Sequence, residues 1–197
     1  KVFLLDAFAL VFRAYYALIR NPRLTSKGKN TNAQFGFTNA LVELITKQKP
    51  SHMAVCFDTS APTERHTDFA DYKANRQETP EDILLAVPDI KKIIEGFNIP
   101  IIYKDGFEAD DVIGTVTSRL STEKDIKVLI ITGDRDMLQL ISQNTHVLMP
   151  IKGISEVMIF DAKRVKEKYE IEPYEVIDYK ALIGDASDNY PGVPGIG

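Results

Sequence analysis

Aspartates recur where apolar runs end. Leu4-Leu5 leads into Asp6, Cys56-Phe57 into Asp58, and Ile131-Thr132-Gly133 into Asp134, with Asp136 two residues further on. One such aspartate is ordinarily a turn or cap residue; three apolar runs ending this way point to a shared purpose. Two more acidic clusters lie further along the chain. Glu108-Ala109-Asp110-Asp111 opens a helical pattern, where acids also favour the positive end of the dipole. Its Glu108 and Asp111, three apart, share a helix face. Gly184-Asp185-Ala186-Ser187-Asp188-Asn189 again sets two acids three apart, in what could equally be an Asx-rich turn before Pro191. If Asp6, Asp58, Glu108, Asp110, Asp111, Asp134, Asp136, Asp185 and Asp188 converge, they cannot all stay ionised without a counterion. Hard divalent cations, Mg2+ or Mn2+, are the oxygen-seeking partners such a set suits. A pair of them fits in-line displacement at phosphorus, one ion activating water and the other stabilising the leaving oxygen.

Convergence requires a scaffold that brings run ends together. Val2–Leu5, Met53–Phe57 and Val128–Thr132 are short continuous apolar runs, as expected of strands buried on both faces of a parallel sheet, and Asn98–Ile102 reads as another short strand. Helical spacing fills Phe35–Lys47, Ile83–Phe97, Asp110–Leu120 and, briefly, Arg135–Ile141. Thr79-Pro80-Glu81-Asp82 reads as a helix start, with Thr79 capping and Pro80 in the first turn, and Pro88 is expected to kink or break that helix. Alternation of strand and helix predicts an α/β fold with a mostly parallel central sheet flanked by helices. In such sheets ligands bind at the carboxyl ends of strands, where the aspartates fall.

Composition narrows the chemistry. The 197 residues, 44% apolar and 26% charged, suffice for a packed domain and exclude a disordered chain. A single cysteine, Cys56, excludes a disulfide framework and fits a reducing compartment, and three scattered histidines argue against zinc. The run Val2–Phe12 is interrupted by Asp6 and is too short to span a bilayer. The net charge of -4 argues against nucleic acid at first sight. Setting the nine candidate ligands aside leaves 19 acids against 24 bases, so a polyanionic substrate is not excluded. Between Ala7 and Val42 there is no acid, while Arg13, Arg20, Arg23, Lys27 and Lys29 are interleaved with Tyr15 and Tyr16. That pattern suits backbone tracking and base stacking, and equally a solvated loop. The polar stretch 60–82 has the profile of a mobile excursion beside a site. Gly192-Val193-Pro194-Gly195-Ile196-Gly197 could let the backbone approach phosphate, or form a plain turn.

These stretches, together with Tyr72-Lys73-Ala74-Asn75-Arg76 and Thr132-Gly133-Asp134-Arg135-Asp136, occur in an order that resembles the 5′-nuclease (5′-3′ exonuclease) domain family of bacterial DNA polymerase I, in the flap-endonuclease superfamily. The resemblance covers essentially the whole chain. It implies one PIN/5′-nuclease-like domain over 1–197, with a helical arch about 60–82 and the start of a duplex-binding helix–three-turn–helix about 173–197. It implies a Mg2+- or Mn2+-dependent, structure-specific nuclease cutting DNA with 5′ flaps or 5′ ends, in replication and repair. One metal would be held mainly by Asp6, Asp58, Glu108, Asp110 and Asp111, and a second by Asp134, Asp136, Asp185 and Asp188. Lys73 and Arg76 would reach the scissile phosphate, Tyr72 would stack on a base, and Arg13, Gly192, Gly195 and Gly197 would touch DNA. A K+ ion at the Gly-rich end, a polymerase domain C-terminal to this one, and a monomeric, membrane-free existence in the bacterial cytoplasm at the nucleoid are also implied. Glu64 departs from the family pattern, which leads to an aromatic residue there. The start at Lys1 and the stop at Gly197, inside the duplex-binding motif, suggest a trimmed piece. The rivals are a non-catalytic branched-DNA-binding module, a haloacid-dehalogenase-type phosphatase, which would need an acid at Phe8, and a compact PIN-type ribonuclease, which would not need the Gly-rich end.

Overall fold

The computed structural model describes residues 1–152 and 156–196. Its centre is a six-stranded sheet in the order β3-β2-β1-β4-β5-β6. The strands are β1 (Val2–Asp6), β2 (His52–Cys56), β3 (Ile101–Ile102), β4 (Val128–Ile131), β5 (Thr145–Lys152) and β6 (Glu156–Phe160). The first five run parallel, and β6 returns antiparallel beside β5. Parallel strands need crossovers, supplied here by helices. Those before β4 are α1 (Ala7–Ala17), α2 (Asn32–Glu43), α3 (Glu64–Asp68), α4 (Glu81–Gly96) and α5 (Ala109–Leu120); a 3-10 turn joins β4 to β5, and α6 (Ala162–Tyr169) and α7 (Val176–Ile183) follow β6.

The apolar runs are continuous because both sheet faces are covered. Side chains alternate along a strand. Phe3 and Leu5 of β1 therefore enter one core with Phe37 and Leu41 of α2 and Ile83, Ala86, Ile90 and Ile94 of α4. Leu4 points the other way, into a second core with Val112 and Ile113 of α5, Val165 of α6 and Val176 of α7. Cys56, fully buried in that second core, is a packing residue whose thiol burial pushes up to about 12. The chain leaves β1 for β2 on one side and returns to β4 on the other. The strand order thus reverses at β1, and the crevice beyond its carboxyl end is where an open α/β sheet places a ligand.

Several boundaries differ from expectation. Only Ile101–Ile102 of the stretch 98–102 pairs as strand. The helix expected from Phe35 begins at Asn32 and ends in a π-helical turn, Leu44–Gln48. The stretch 135–141 forms a 3-10 turn, Asp136–Leu140. Pro80 rather than Thr79 takes the cap position of α4. The helix also runs unbroken past Pro88 to Gly96. Pro88 lies on the solvent face, and the carbonyl that loses its partner belongs to Leu84, 56% exposed, where water can serve it. Within 60–82, before α4 begins at Glu81, the one helix is the five-residue α3. No described helix is long and apolar enough to cross a membrane.

Candidate metal centre

Asp6 ends β1 and caps α1: its Oδ1 accepts from the Ala9 amide at 3.1 Å, and its Oδ2 from the Thr132 hydroxyl at 2.7 Å. Burial pushes its carboxyl up to about 6 even against those bonds, with the charges of Asp58 and Asp134 adding to the effect. Asp58, just past β2, accepts from the Ala109 amide at 2.9 Å and so ties that strand end to the start of α5. Glu108 and Asp111 form a reciprocal capping box there, with the Glu108 amide donating to Asp111 at 3.0 Å. Their capping role and their place in the site are therefore compatible. Between them Asp110 accepts no hydrogen bond among the described residues. Its burial, followed by the charges of Asp6, Asp134, Asp58 and Glu108, pushes its carboxyl up to about 8.

Past β4, Asp134 accepts from the Asp136 amide at 2.8 Å, and its own amide donates to the Thr132 hydroxyl at 3.0 Å. The Asp134 charge acts on Asp6, on Asp110 and on Asp136, so it stands electrically between two groups. The second group is Asp136, Asp185 and Asp188, whose carboxylate oxygens come within 4.8 Å of one another. Lys180 of α7 reaches Asp136 at 2.7 Å and also pairs with Asp185. Although burial opposes it, that ammonium and the Ser187 hydroxyl and amide hold the Asp185 carboxyl down at about 2.

Glycine sets the loop that carries Asp185 and Asp188. Gly184 (φ 79°) and Gly192 (φ 63°) lie back to back, and a Cβ on Gly192 would sit 2.5 Å from the Gly184 nitrogen. The close approach brackets the Asp185–Tyr190 bridge and lets no side chain stand at either position.

Cations close over the acids from the stretch 65–76. Arg65 makes two bonds to Asp111, at 2.8 and 2.7 Å, and Lys73 reaches Glu108 at 2.6 Å. Arg76 pairs with Asp188, and Tyr72 donates to Glu108 at 3.1 Å. Bonds to backbone carbonyls fasten this stretch to the 184–192 loop: the Lys73 amide donates to Asp188 O at 3.1 Å and the Asn75 side-chain Nδ2 to Ala186 O at 2.7 Å. Together these groups border a cavity of about 870 Å³. Glu108, Asp110, Asp111, Asp134, Asp136, Asp185 and Asp188 line it, while Asp6 and Asp58 are not among its lining residues.

The other candidate residues lie elsewhere. Arg13 sits in a groove between α1 and α2, its guanidinium donating to the Ile151 carbonyl. Of the basic stretch around it, Lys29 pairs with Asp89 at 2.7 Å and Arg23 covers the Phe35 ring at 5.4 Å. Gly195 lies past the glycine clasp, and Gly197 falls outside the described residues. Arg65, Lys180 and Thr132 were not foreseen as parts of the site. Lys180 carried a faint signal, one turn before the Gly-Asp stretch on a helix leading into it.

The donor set suits a hard divalent cation. It is all oxygen, and burial, with the neighbouring carboxylates adding to it, leaves Asp110 holding a proton near neutrality, a shortage of positive charge that an ion would relieve.

Comparisons with known proteins give the family and the fold. The sequence profile described as "5'-3' exonuclease, N-terminal resolvase-like domain" matches residues 1–170. DNA polymerase I of Bacillus subtilis is 41% identical over 199 residues, spanning 100% of this chain and 22% of that protein. DNA polymerase I of Mycobacterium tuberculosis is 43% identical over 194 residues, 98% of this chain and 21% of that protein. A 5′-3′ exonuclease of Aquifex aeolicus is 40% identical over 196 residues, 100% of this chain and 65% of that protein. The chain thus spans about a fifth of the length of the polymerases it matches. Among solved structures, the bacteriophage T5 5′-exonuclease with bound divalent zinc superposes with a TM-score of 0.80 at 20% identity, covering 100% of this chain and 72% of that one. At that identity the likeness speaks to the fold. By its sequence match, the chain belongs to the family of 5′-3′ exonuclease N-terminal, resolvase-like domains.

Proposed function

We propose that this domain is a divalent-metal-dependent 5′ nuclease that hydrolyses phosphodiester bonds in DNA bearing 5′ ends or flaps. The observation that carries the reading is the convergence of seven carboxylates on one cavity, under a rim of Arg65, Lys73, Arg76 and Lys180. Asp6, Asp58, Glu108, Asp110 and Asp111 would hold one ion, and Asp136, Asp185 and Asp188 a second, with Asp134 between them. Bound there, Mg2+ or Mn2+ supplies a nucleophile at neutral pH and charge stabilisation at the phosphoryl group.

The chain's own residues supply the rest. Asp6 and Asp58 brace the strand ends against α1 and α5, fixing where the acids stand. Lys73, anchored to the 184–192 loop through its backbone amide, and Arg76, anchored there through its Nε on the Ser187 carbonyl, are placed to draw a phosphate over the carboxylates and to stabilise charge developing on its oxygens. Tyr72, whose ring lies under the Lys73 ammonium at 4.8 Å, offers a face on which a base can stack. Contacts of this type go to backbone and stacking faces, so recognition would be of structure rather than sequence.

The stretch 60–82 would act as the arch over the site and 173–197 as the start of the duplex clamp, with K+ at its glycines. By likeness to the polymerases, a polymerase domain C-terminal to this one, a monomeric state and work at nucleoid DNA in the bacterial cytoplasm belong to the same proposal. The test is cleavage of a 5′-labelled flap duplex with Mg2+, for this chain and for Asp134→Ala. Metal-dependent nicking near the junction, lost in the variant, is the expected result. A chain that binds the flap but does not cut it would instead be a DNA-binding module.

A further inference from the structure

The cavity does not end at the acids. It continues along the outer face of α5, past Gly114, Thr115 and Ser118 to Arg119, with Gln139 and Leu140 on the opposite wall. Asp111, Thr115 and Arg119 are four apart and form one row on the helix. At 1.5 Å per residue, Arg119 stands about 12 Å along the axis from Asp111. Nothing bulky intervenes on the neighbouring row: a Cβ built on Gly114 would meet only the Leu140 methyls, the nearer at 3.7 Å.

Five cations line this cavity, and four are committed to carboxylates. Arg65 pairs with Asp111, Lys73 with Glu108, Arg76 with Asp188, and Lys180 with Asp136 and Asp185. Arg119 is the fifth, and among the described residues its guanidinium has neither a carboxylate nor a hydrogen-bond acceptor. The Ser118 hydroxyl beside it is likewise without a partner there. A strand drawn across a cluster of acids meets repulsion at its own phosphates, and an uncommitted guanidinium with an adjacent hydroxyl is a phosphate's natural ligand.

We propose that Arg119, assisted by Ser118, holds a backbone phosphate of the DNA strand about two helical turns from the carboxylate cluster, so that the strand is gripped along α5 as well as at the acids. The inference rests on the nuclease reading of that cluster. The simplest rival is that Arg119 serves its own helix, since a cation in the last turn of α5 complements the dipole. A role of that kind changes stability and leaves the salt dependence of DNA binding untouched.

The experiment measures binding of a fluorescent 5′-flap duplex by anisotropy, in EDTA so that nothing is cut, between about 50 and 200 mM KCl. The full 197-residue chain is compared with Arg119→Ala and Arg119→Lys, with thermal melts of each. Arg119→Ala should weaken binding about fivefold near 100 mM salt and lower the slope of log K against log salt by about one. Arg119→Lys should restore the slope, and changing the base sequence of the duplex should change neither effect. A wild-type chain that cuts the flap with Mg2+ while Arg119→Ala binds with an unchanged slope overturns this inference alone. A wild-type chain that neither binds nor cuts overturns the nuclease reading and this inference with it.

Discussion

Replacing Asp110 by asparagine should make the metal-free protein more stable, although it removes a residue the site needs. The Asp110 carboxyl has an ordinary value of 3.8 and is pushed up to about 8 in the fold, first by burial and then by Asp6, Asp134, Asp58 and Glu108. Between those values the folded chain keeps a proton that the unfolded chain has released. Stability from this group is therefore complete below about pH 4 and declines as pH rises toward 8. Each tenfold change in proton affinity is worth about 1.4 kcal/mol, which sets a ceiling near 6 kcal/mol. Asp6 titrates in the same range and shares protons with Asp110, so about half, on the order of 3 kcal/mol, belongs to Asp110 at pH 8. Asparagine has nearly the same shape, and Asp110 accepts no hydrogen bond among the described residues that the amide would forfeit. For a domain of this size the gain amounts to a rise of about 8 °C in Tm. Calorimetry in EDTA at pH 8 and pH 5 reads it: a large rise at pH 8 and about a third of it at pH 5, where the folded carboxyl keeps its proton and the unfolded one has already begun to shed its own. Millimolar Mg2+ should then stabilise the wild type more than the variant, because the variant loses a ligand of the first ion and keeps only the Asp136, Asp185 and Asp188 group intact. An Asp110→Asn chain no more stable than wild type at pH 8, or equally stabilised at both pH values, would refute the reasoning.

Other perturbations probe the supports of the site. Thr132→Val takes from the buried Asp6 its 2.7 Å hydroxyl partner and from the Asp134 amide its acceptor, and should cost about 1–3 kcal/mol in urea unfolding. Gly192→Ala forces a Cβ to within 2.5 Å of the Gly184 nitrogen at a φ of 63°. It should cost about 2 kcal/mol or more and lower Mn2+ affinity in calorimetric titration, because Asp185 and Asp188 move with the loop. Lys180→Met removes the ammonium that holds the Asp185 carboxyl near 2, so that its midpoint, followed by carbon-13 NMR, should move up toward 3.8. In the wild type that interaction contributes above pH 4 and fades as the pH falls through about 2. The variant should lose the acid-side dependence.

The scaffold of the site could be read from the sequence because continuous apolar runs followed by aspartate carry two signals at once, a doubly covered strand and its carboxyl end. The same logic failed for β5 and β6. Pro150 and the charged residues Lys152 and Glu156 break the apolar run, and pairing between distant stretches leaves no periodic mark. Helix α1 was hidden because Ala7–Phe12 is apolar on nearly every side, so a helix there cannot be told by period from an extended strand. Of the site itself, spacing disclosed the acids but not their counterions. Arg65 and Lys180 acquire their meaning only when segments far apart in the chain meet, and Thr132 because β4 lies beside β1. The basic stretch 13–29 gave a signal of the opposite kind. Its composition suited nucleic acid, yet Lys29 and Arg23 are engaged with Asp89 and Phe35, and Arg13 lies in a groove apart from the acids.

The central claim is that acids from β1, β2, β4, α5 and the 184–192 loop form one metal-binding site. Anomalous X-ray scattering from crystals soaked in Mn2+ tests it directly. The account predicts manganese peaks in the cavity, one against Asp110 and its neighbours and one against Asp136, Asp185 and Asp188, with Lys180 withdrawn from the carboxylates it holds without metal. Crystals in which the cavity stays free of manganese, with Lys180 still paired to Asp136 and Asp185, while the same protein cuts DNA in Mn2+ would contradict it.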